Sequence, residues 1–171
     1  FSHSIYKHQD FLQIDWAVFR QKEYHMNEKF MKLALKEAYK SYCNEEVPIG
    51  AIIEKDGIII AKGHNTRNKT QNAVNHAEII AISKACKKLK SWRLDGCNIY
   101  VTLEPCPMCA GAILNARIKN LYFGAFDKTS KTNILNLIMK DDRLNHKANV
   151  QGGILSEQCG ELLTNFFKNK R

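Results

Sequence analysis

The sequence has no run long and apolar enough to cross a bilayer, no internal repeat and no low-complexity tract, which leaves no candidate for a membrane-spanning helix, a solenoid or a linker. It also lacks a disulfide framework. Four of the six cysteines, Cys43, Cys86, Cys97 and Cys159, are scattered, and a thiol inside an apolar stripe behaves as a small hydrophobe, so the pattern fits a reducing cytoplasm. Acidic side chains are in short supply, 17 against 26 Lys and Arg, giving a net charge of +9. Residues 1–25 hold three basic and three acidic side chains, so the whole excess belongs to residues 26–171. A basic domain of that kind suits a polyanionic partner, although a Lys-rich chain also carries solvated lysines with no specific task. Residues 1–25 lack the clean apolar core of a secretory signal and carry acids that a transit peptide avoids, so they read as an extension of unknown role ahead of one domain, 26–171.

What is present is a helix and strand alternation. Asn27 serves as a plausible N-cap for a first helix to about Tyr42, with Phe30, Leu33, Ala34 and Ala38 at helical spacing. Ile49 to Ile53 and Ile58 to Ile60 flank Asp56-Gly57, a dipeptide suited to a type I′ hairpin. Gly63 to Asn68 reads as a polar loop. A helix from about His76 follows, with Ile79, Ile82, Cys86 and Leu89 along one stripe. Asn98 to Leu103 is an apolar strand, Pro107 opens a helix, and Leu121 to Gly124 is the next strand, so that strand, helix and strand predict a parallel crossover. A short helix around Ile134 to Met139, a weak strand near Val150, and a helix capped by Ser156 with Cys159, Leu162, Leu163, Phe166 and Phe167 on one face complete the chain. The elements predict a three-layer α/β/α sandwich around a mixed sheet of about five strands.

The chemistry concentrates in His76-Ala77-Glu78 and Pro105-Cys106-Pro107-Met108-Cys109. One imidazole and two thiols suit Zn²⁺ and leave a fourth tetrahedral position open, as in a catalytic site. Glu78 is then placed to exchange protons with water there, and the pattern H-x-E with P-C-x-x-C is that of zinc nucleobase deaminases. Taken separately, the His is a common structural residue, and a lone C-x-x-C fits a redox pair or half a zinc ribbon, which keeps a non-catalytic module open as a competing reading. His76 and Glu78 lie about 200° apart around a helix, so both reach one pocket only if it sits off the helix tip.

With Asn65, Tyr100-Val101-Thr102-Leu103-Glu104 leading into Pro105, Ala110-Gly111-Ala112, Phe123-Gly124-Ala125-Phe126-Asp127, Asn145-His146, Gly153-Ile154-Leu155 and Phe166-Phe167 added to these motifs, the chain resembles the bacterial tRNA-specific adenosine deaminases, within the cytidine and deoxycytidylate deaminase superfamily, over Met26 to Arg171. Asn75, Asn115 and the loop Lys128 to Thr132 depart from the family pattern. The resemblance implies a cytidine deaminase-like fold, a cytoplasmic homodimer with one zinc per subunit, and conversion of the wobble adenosine of an arginine tRNA anticodon to inosine. It implies His76, Cys106 and Cys109 as zinc ligands, Glu78 as proton shuttle and Asn65 as a hydrogen-bond partner of the flipped base. Asp127, Asn145, His146, Phe166, Phe167, Lys168, Lys170 and Arg171 would touch the anticodon loop. By pattern alone Asn65 equally suits a turn cap and Phe166 and Phe167 the core. A small-molecule zinc deaminase acting on guanine, cytosine or a nucleoside is the alternative with the same metal site.

Overall fold

The computed structural model describes residues 16–128 and 134–170. In chain order the elements are α1 (Trp16–Cys43), β1 (Gly50–Lys55), β2 (Ile58–His64), α2 (Arg67–Thr70), α3 (Ala77–Leu89), β3 (Asn98–Leu103), α4 (Pro107–Asn115), β4 (Asn120–Ala125), α5 (Ile134–Lys140), β5 (Asn149–Gln151) and α6 (Ser156–Lys168). The sheet order is β2-β1-β3-β4-β5, with β1 antiparallel to both neighbours and β3, β4 and β5 parallel. The expected mixed sheet, hairpin and β3-α4-β4 parallel unit are all present. Asp56 and Gly57 at the hairpin tip have φ of 52° and 80°, the two positive values that a type I′ turn requires.

Strand alternation sorts the core into two layers. Ala51, Ile53, Ile99, Val101, Leu121 and Phe123 face one cluster, with Ala77, Ala81 and Ala85 of α3 and Ala110, Ile113 and Leu114 of α4. The residues between them, Ile52, Tyr100 and Tyr122, face the other cluster, with Phe30, Met31 and Ala34 of α1 and Cys159 of α6. Helices therefore cover both faces, and the sandwich is the one that the strand and helix alternation predicted.

Register assigns the ends of the sheet. Gly50 pairs with His64, Ala51 with Val101, and Leu103 with Ala125, which places the start of β1 and the ends of β2, β3 and β4 together. Lys55, Ile58, Asn98, Asn120 and Asn149 occupy the opposite end.

Four expectations are corrected. The first helix begins at Trp16 and runs unbroken through Met26, so Asn27 is no cap. Its side chain is buried, and its Oδ1 accepts a 2.8 Å hydrogen bond from the Tyr100 hydroxyl, which fixes α1 on the sheet. The stretch read as a polar loop contains the end of β2 and the start of the one-turn α2. In α3 the buried stripe is Ala77, Ala81 and Ala85, with Ile79, Ile82 and Cys86 half-buried and Leu89 exposed. The reason is close approach: a Cβ on Gly63 of β2 would stand 2.2 Å from the Ala77 carbonyl oxygen, so only small residues fit the facing helix surface. Finally, Leu155 in the left-handed region, not Ser156, is the N-cap of α6.

Candidate metal centre and active site

The motifs converge off two helix tips at the end of the sheet where β3 and β4 finish. His76 is the N-cap of α3 and Cys106 the N-cap of α4, both in extended backbone with no side-chain cap. Pro107 takes the first helical position, where its missing N–H costs nothing. Extended backbone at both caps turns the side chains off the helix ends, and Cys109, three residues on, brings its sulfur to the same point.

His76 Nδ1 lies 3.7 Å from Cys106 Sγ and 3.6 Å from Cys109 Sγ, and the three donor atoms all fall within 4.8 Å of one another. A tetrahedral ion with bonds of about 2.3 Å to sulfur and about 2.0 Å to nitrogen would hold N and S about 3.5 Å apart, so the spacing fits zinc. The two thiols are shifted in opposite directions. Cys106 is brought down to about 4, chiefly by a hydrogen bond from Cys109 and then by His76, against the effect of its own burial. Cys109 moves up, because that same bond and its burial keep its proton in place. A helix N-terminus favours thiolate, the form in which a cysteine binds a metal ion.

Glu78 lies in the first turn of α3, 3% exposed, and its Oε2 has no hydrogen-bond partner. Burial pushes its carboxyl up, while His76 and Cys109 pull it back. A buried carboxyl with an unspent oxygen beside the ligand cluster is equipped to accept and return a proton. The off-tip geometry required by the 200° separation is met, because His76 sits at the cap itself and not on the helix wall.

The remaining predicted residues divide. Asn65, directly after β2, is buried; its Nδ2 donates to Val47 O at 3.1 Å and its Oδ1 accepts from Arg67 N at 3.2 Å, so it caps a turn at the site end of the sheet. Asp127 follows β4 at the same end, its N–H donating to Glu104 Oε2 at 3.0 Å. Asn145 and His146 are elsewhere in the chain. His146 Nε2 bonds to Ile118 O at 2.8 Å, just ahead of β4, at the far end of the sheet. Phe166 is spent on packing, 5% exposed, edge-on to Tyr42 and Phe167, whereas Phe167 is 51% exposed. Adjacent helix positions differ by about 100°, so the shared face predicted for the two phenylalanines is not available. Lys168 is exposed, and Lys170 lies over the Phe166 ring at 4.8 Å and donates to Glu45 O at 3.0 Å. Arg171 lies outside the described residues, as do positions 129–132 of the divergent loop.

Sequence reasoning missed Gly63, which seats the α3 tip, and Glu104, which ties β3 to the turn after β4. Both act through contacts between segments distant in sequence, and no local pattern marks them.

The MafB19-like deaminase family matches residues 25–171. The chain is 47% identical over 146 residues to the tRNA-specific adenosine deaminase of Bacillus subtilis, covering 85% of this chain and 91% of that protein. It is similar to a solved structure described under A-to-I editing by tRNA:A34 deaminases at the wobble position of transfer RNA, with a TM-score of 0.73, 39% identity, and coverage of 79% of this chain and 99% of that one. It also resembles guanine deaminase from Bacillus subtilis, at a TM-score of 0.55 and 44% identity over 58% of this chain and 64% of that one.

Proposed function

This chain belongs to the MafB19-like deaminases and, among them, to the bacterial-type tRNA-specific adenosine deaminases, and from that premise we propose that it hydrolyses the wobble adenosine at position 34 of a tRNA anticodon, that of an arginine tRNA, to inosine. The observation that carries the reading is the convergence of His76 Nδ1 and the Cys106 and Cys109 sulfurs beside the unspent Glu78 oxygen. The likeness to the Bacillus subtilis guanine deaminase spans 58% of this chain, against 85% for the tRNA-specific adenosine deaminase of the same organism, so the small-molecule reading ranks second.

His76, Cys106 and Cys109 would hold one zinc per subunit. Zinc, when bound, lowers the pKa of water in its open fourth position and so supplies a nucleophile at neutral pH. Glu78 does the proton work: its carboxylate takes the proton released as water attacks C6, delivers it to N1, and serves again as the amine departs as ammonia. Asn65, rigid in its turn, would hydrogen-bond an edge of the flipped base. The exposed Phe167 ring and the Lys168 ammonium offer stacking and charge to the anticodon loop, with Asp127 and Lys170 at the same end of the sheet. Asn145 and His146 would reach RNA only from a different side of this subunit, which fits a homodimer that presents both ends. Cytoplasmic tRNA is the substrate pool that free thiols and these chemical needs imply.

The test is incubation of the purified protein with total tRNA and, separately, with free guanine, cytosine and nucleosides, followed by mass spectrometry for inosine. Inosine in tRNA is expected; ammonia from a free base with unmodified tRNA reverses the ranking.

A further inference from the structure

Two buried side-chain oxygens among the described residues have no hydrogen-bond partner: Glu78 Oε2 and Glu46 Oε2. The first is explained by proton transfer. Glu46 is 1% exposed, lies in the turn between α1 and β1, and forms no salt bridge among the described residues. A buried carboxyl with so few partners is costly, and a protein keeps one where the geometry it enforces matters more than its cost.

The surroundings show what it enforces. Glu46 Oε1 accepts a 2.6 Å hydrogen bond from the Lys69 N–H, which ties α2 to the turn. Helix α2 opens the segment that ends at His76, and Thr66 N donates to Asn75 O at 3.2 Å across it. The same turn and the last turn of α1 hold Asn65 from three sides. Val47 O accepts from its Nδ2 at 3.1 Å, Ile49 O accepts from its N–H at 3.0 Å, and Ser41 Oγ donates to its carbonyl at 2.7 Å. One buried residue thus locks the turn that seats Asn65 to the segment that delivers His76.

Resting on the deaminase reading above, we infer that Glu46 is a positioning residue for the base pocket, acting through Lys69 N–H and the Val47 carbonyl to fix Asn65 relative to the metal ligands. It touches neither metal nor base in this role. Misplacing a base by an ångström costs roughly 100-fold in rate, whereas affinity for a whole tRNA rests largely on phosphate contacts that Glu46 does not make.

The test compares Glu46→Ala with Glu46→Gln, whose amide oxygen still accepts the Lys69 N–H. In steady-state deamination of tRNA, E46A is expected to lose roughly 10- to 100-fold in kcat with KM within about threefold of wild type, while E46Q recovers most of kcat. Zinc content stays equal in all three proteins. Amide hydrogen exchange at Lys69 and Thr70, measured without RNA, speeds at least about tenfold in E46A and not in E46Q. Wild-type kcat in zinc-loaded E46A, or equal loss in E46A and E46Q, overturns the inference. If the wild-type protein makes no inosine, it is the deaminase reading that has failed, and the exchange comparison still decides whether Glu46 clamps α2.

Discussion

At the scale of single residues, stability and chemistry pull Glu78 in opposite directions. A buried carboxyl with an unspent oxygen destabilises the fold, and a neutral side chain of the same shape removes the part of that cost that comes from burying charge. Glu78→Gln is therefore expected to leave the melting temperature unchanged or raise it, to keep zinc at the wild-type level by elemental analysis, and to lower turnover by roughly 10²- to 10⁴-fold. A variant that loses its zinc along with its activity would instead make Glu78 part of the metal site. Gly63 carries the opposite expectation. An added Cβ meets backbone, not a flexible side chain, 2.2 Å from Ala77 O and 2.8 Å from Ala81 N. Gly63→Ala must then push back the helix tip that holds His76 and Glu78, at a cost of about 1–3 kcal/mol in urea unfolding, with weaker zinc retention against a competing chelator.

At the scale of elements, side-chain amides brace the sheet at the end away from the site. Asn149 Nδ2 donates to Asn120 Oδ1 at 2.9 Å, Asn120 Nδ2 to Asn98 Oδ1 at 2.6 Å, and Asn98 Nδ2 to Glu54 Oε1, whose other oxygen accepts from Gly57 N at 2.9 Å. The ladder runs across β5, β4, β3 and β1, and each donor fits the register in which Asn149, Asn120, Asn98 and Glu54 stand side by side. Strand β5 has three residues, so it depends on this brace more than its neighbours do. Asn120→Ala is expected to cost about 1 kcal/mol and to speed hydrogen exchange in Asn149–Gln151 before any other strand. Unchanged exchange there would show that backbone pairing alone holds the edge.

The same scale explains what was legible in the sequence. Strand periodicity, Asp56-Gly57 and the two cap-and-helix motifs are local signals, and they located the layers, the hairpin and the four residues of the candidate centre. Tertiary contacts decided the rest. Ala77, Ala81 and Ala85 outrank Ile79 and Ile82 because Gly63 admits no larger face. Asn27 looked like a cap because its amide suits one, yet it serves Tyr100, 73 residues away. His146, which the family resemblance sets against the anticodon loop, bonds to Ile118 O at the end of the sheet away from the metal ligands, a placement that no local pattern shows.

For the whole molecule, the centre is the point where two helices from separate parts of the chain meet. His76 comes from the segment after β2 and the two cysteines from the segment after β3, so an ion held by all three cross-links α3 to α4. Any ligand bound only by the folded state stabilises it, by about 2.7 kcal/mol when present at 100 times its dissociation constant. A strong chelator should therefore lower the melting temperature, and added zinc should restore it. Cys106→Ser and Cys109→Ser should melt near the chelated wild type and respond little to either reagent. A chelator-insensitive melt would argue that the three donors are structural neighbours only.

Charge is the other property that belongs to the whole chain, since the +9 excess is spread over the domain and gathers at no single motif. Binding of an anticodon stem-loop by such a surface releases counterions, so the observed association constant should fall steeply and linearly in a plot of log K against log salt. The exposed Lys168, at the end of α6 where the chain returns to the site end of the sheet, is the lysine placed to contribute. If it meets a phosphate, Lys168→Gln should weaken binding about equally for matched and mismatched anticodon loops and reduce the salt slope by about one. Deamination of a minimal substrate too short to reach α6 should be unaffected. A loss confined to one anticodon sequence, with the salt slope intact, would mean that Lys168 reads a base and that the surface works by specific recognition where the charge balance alone predicts attraction.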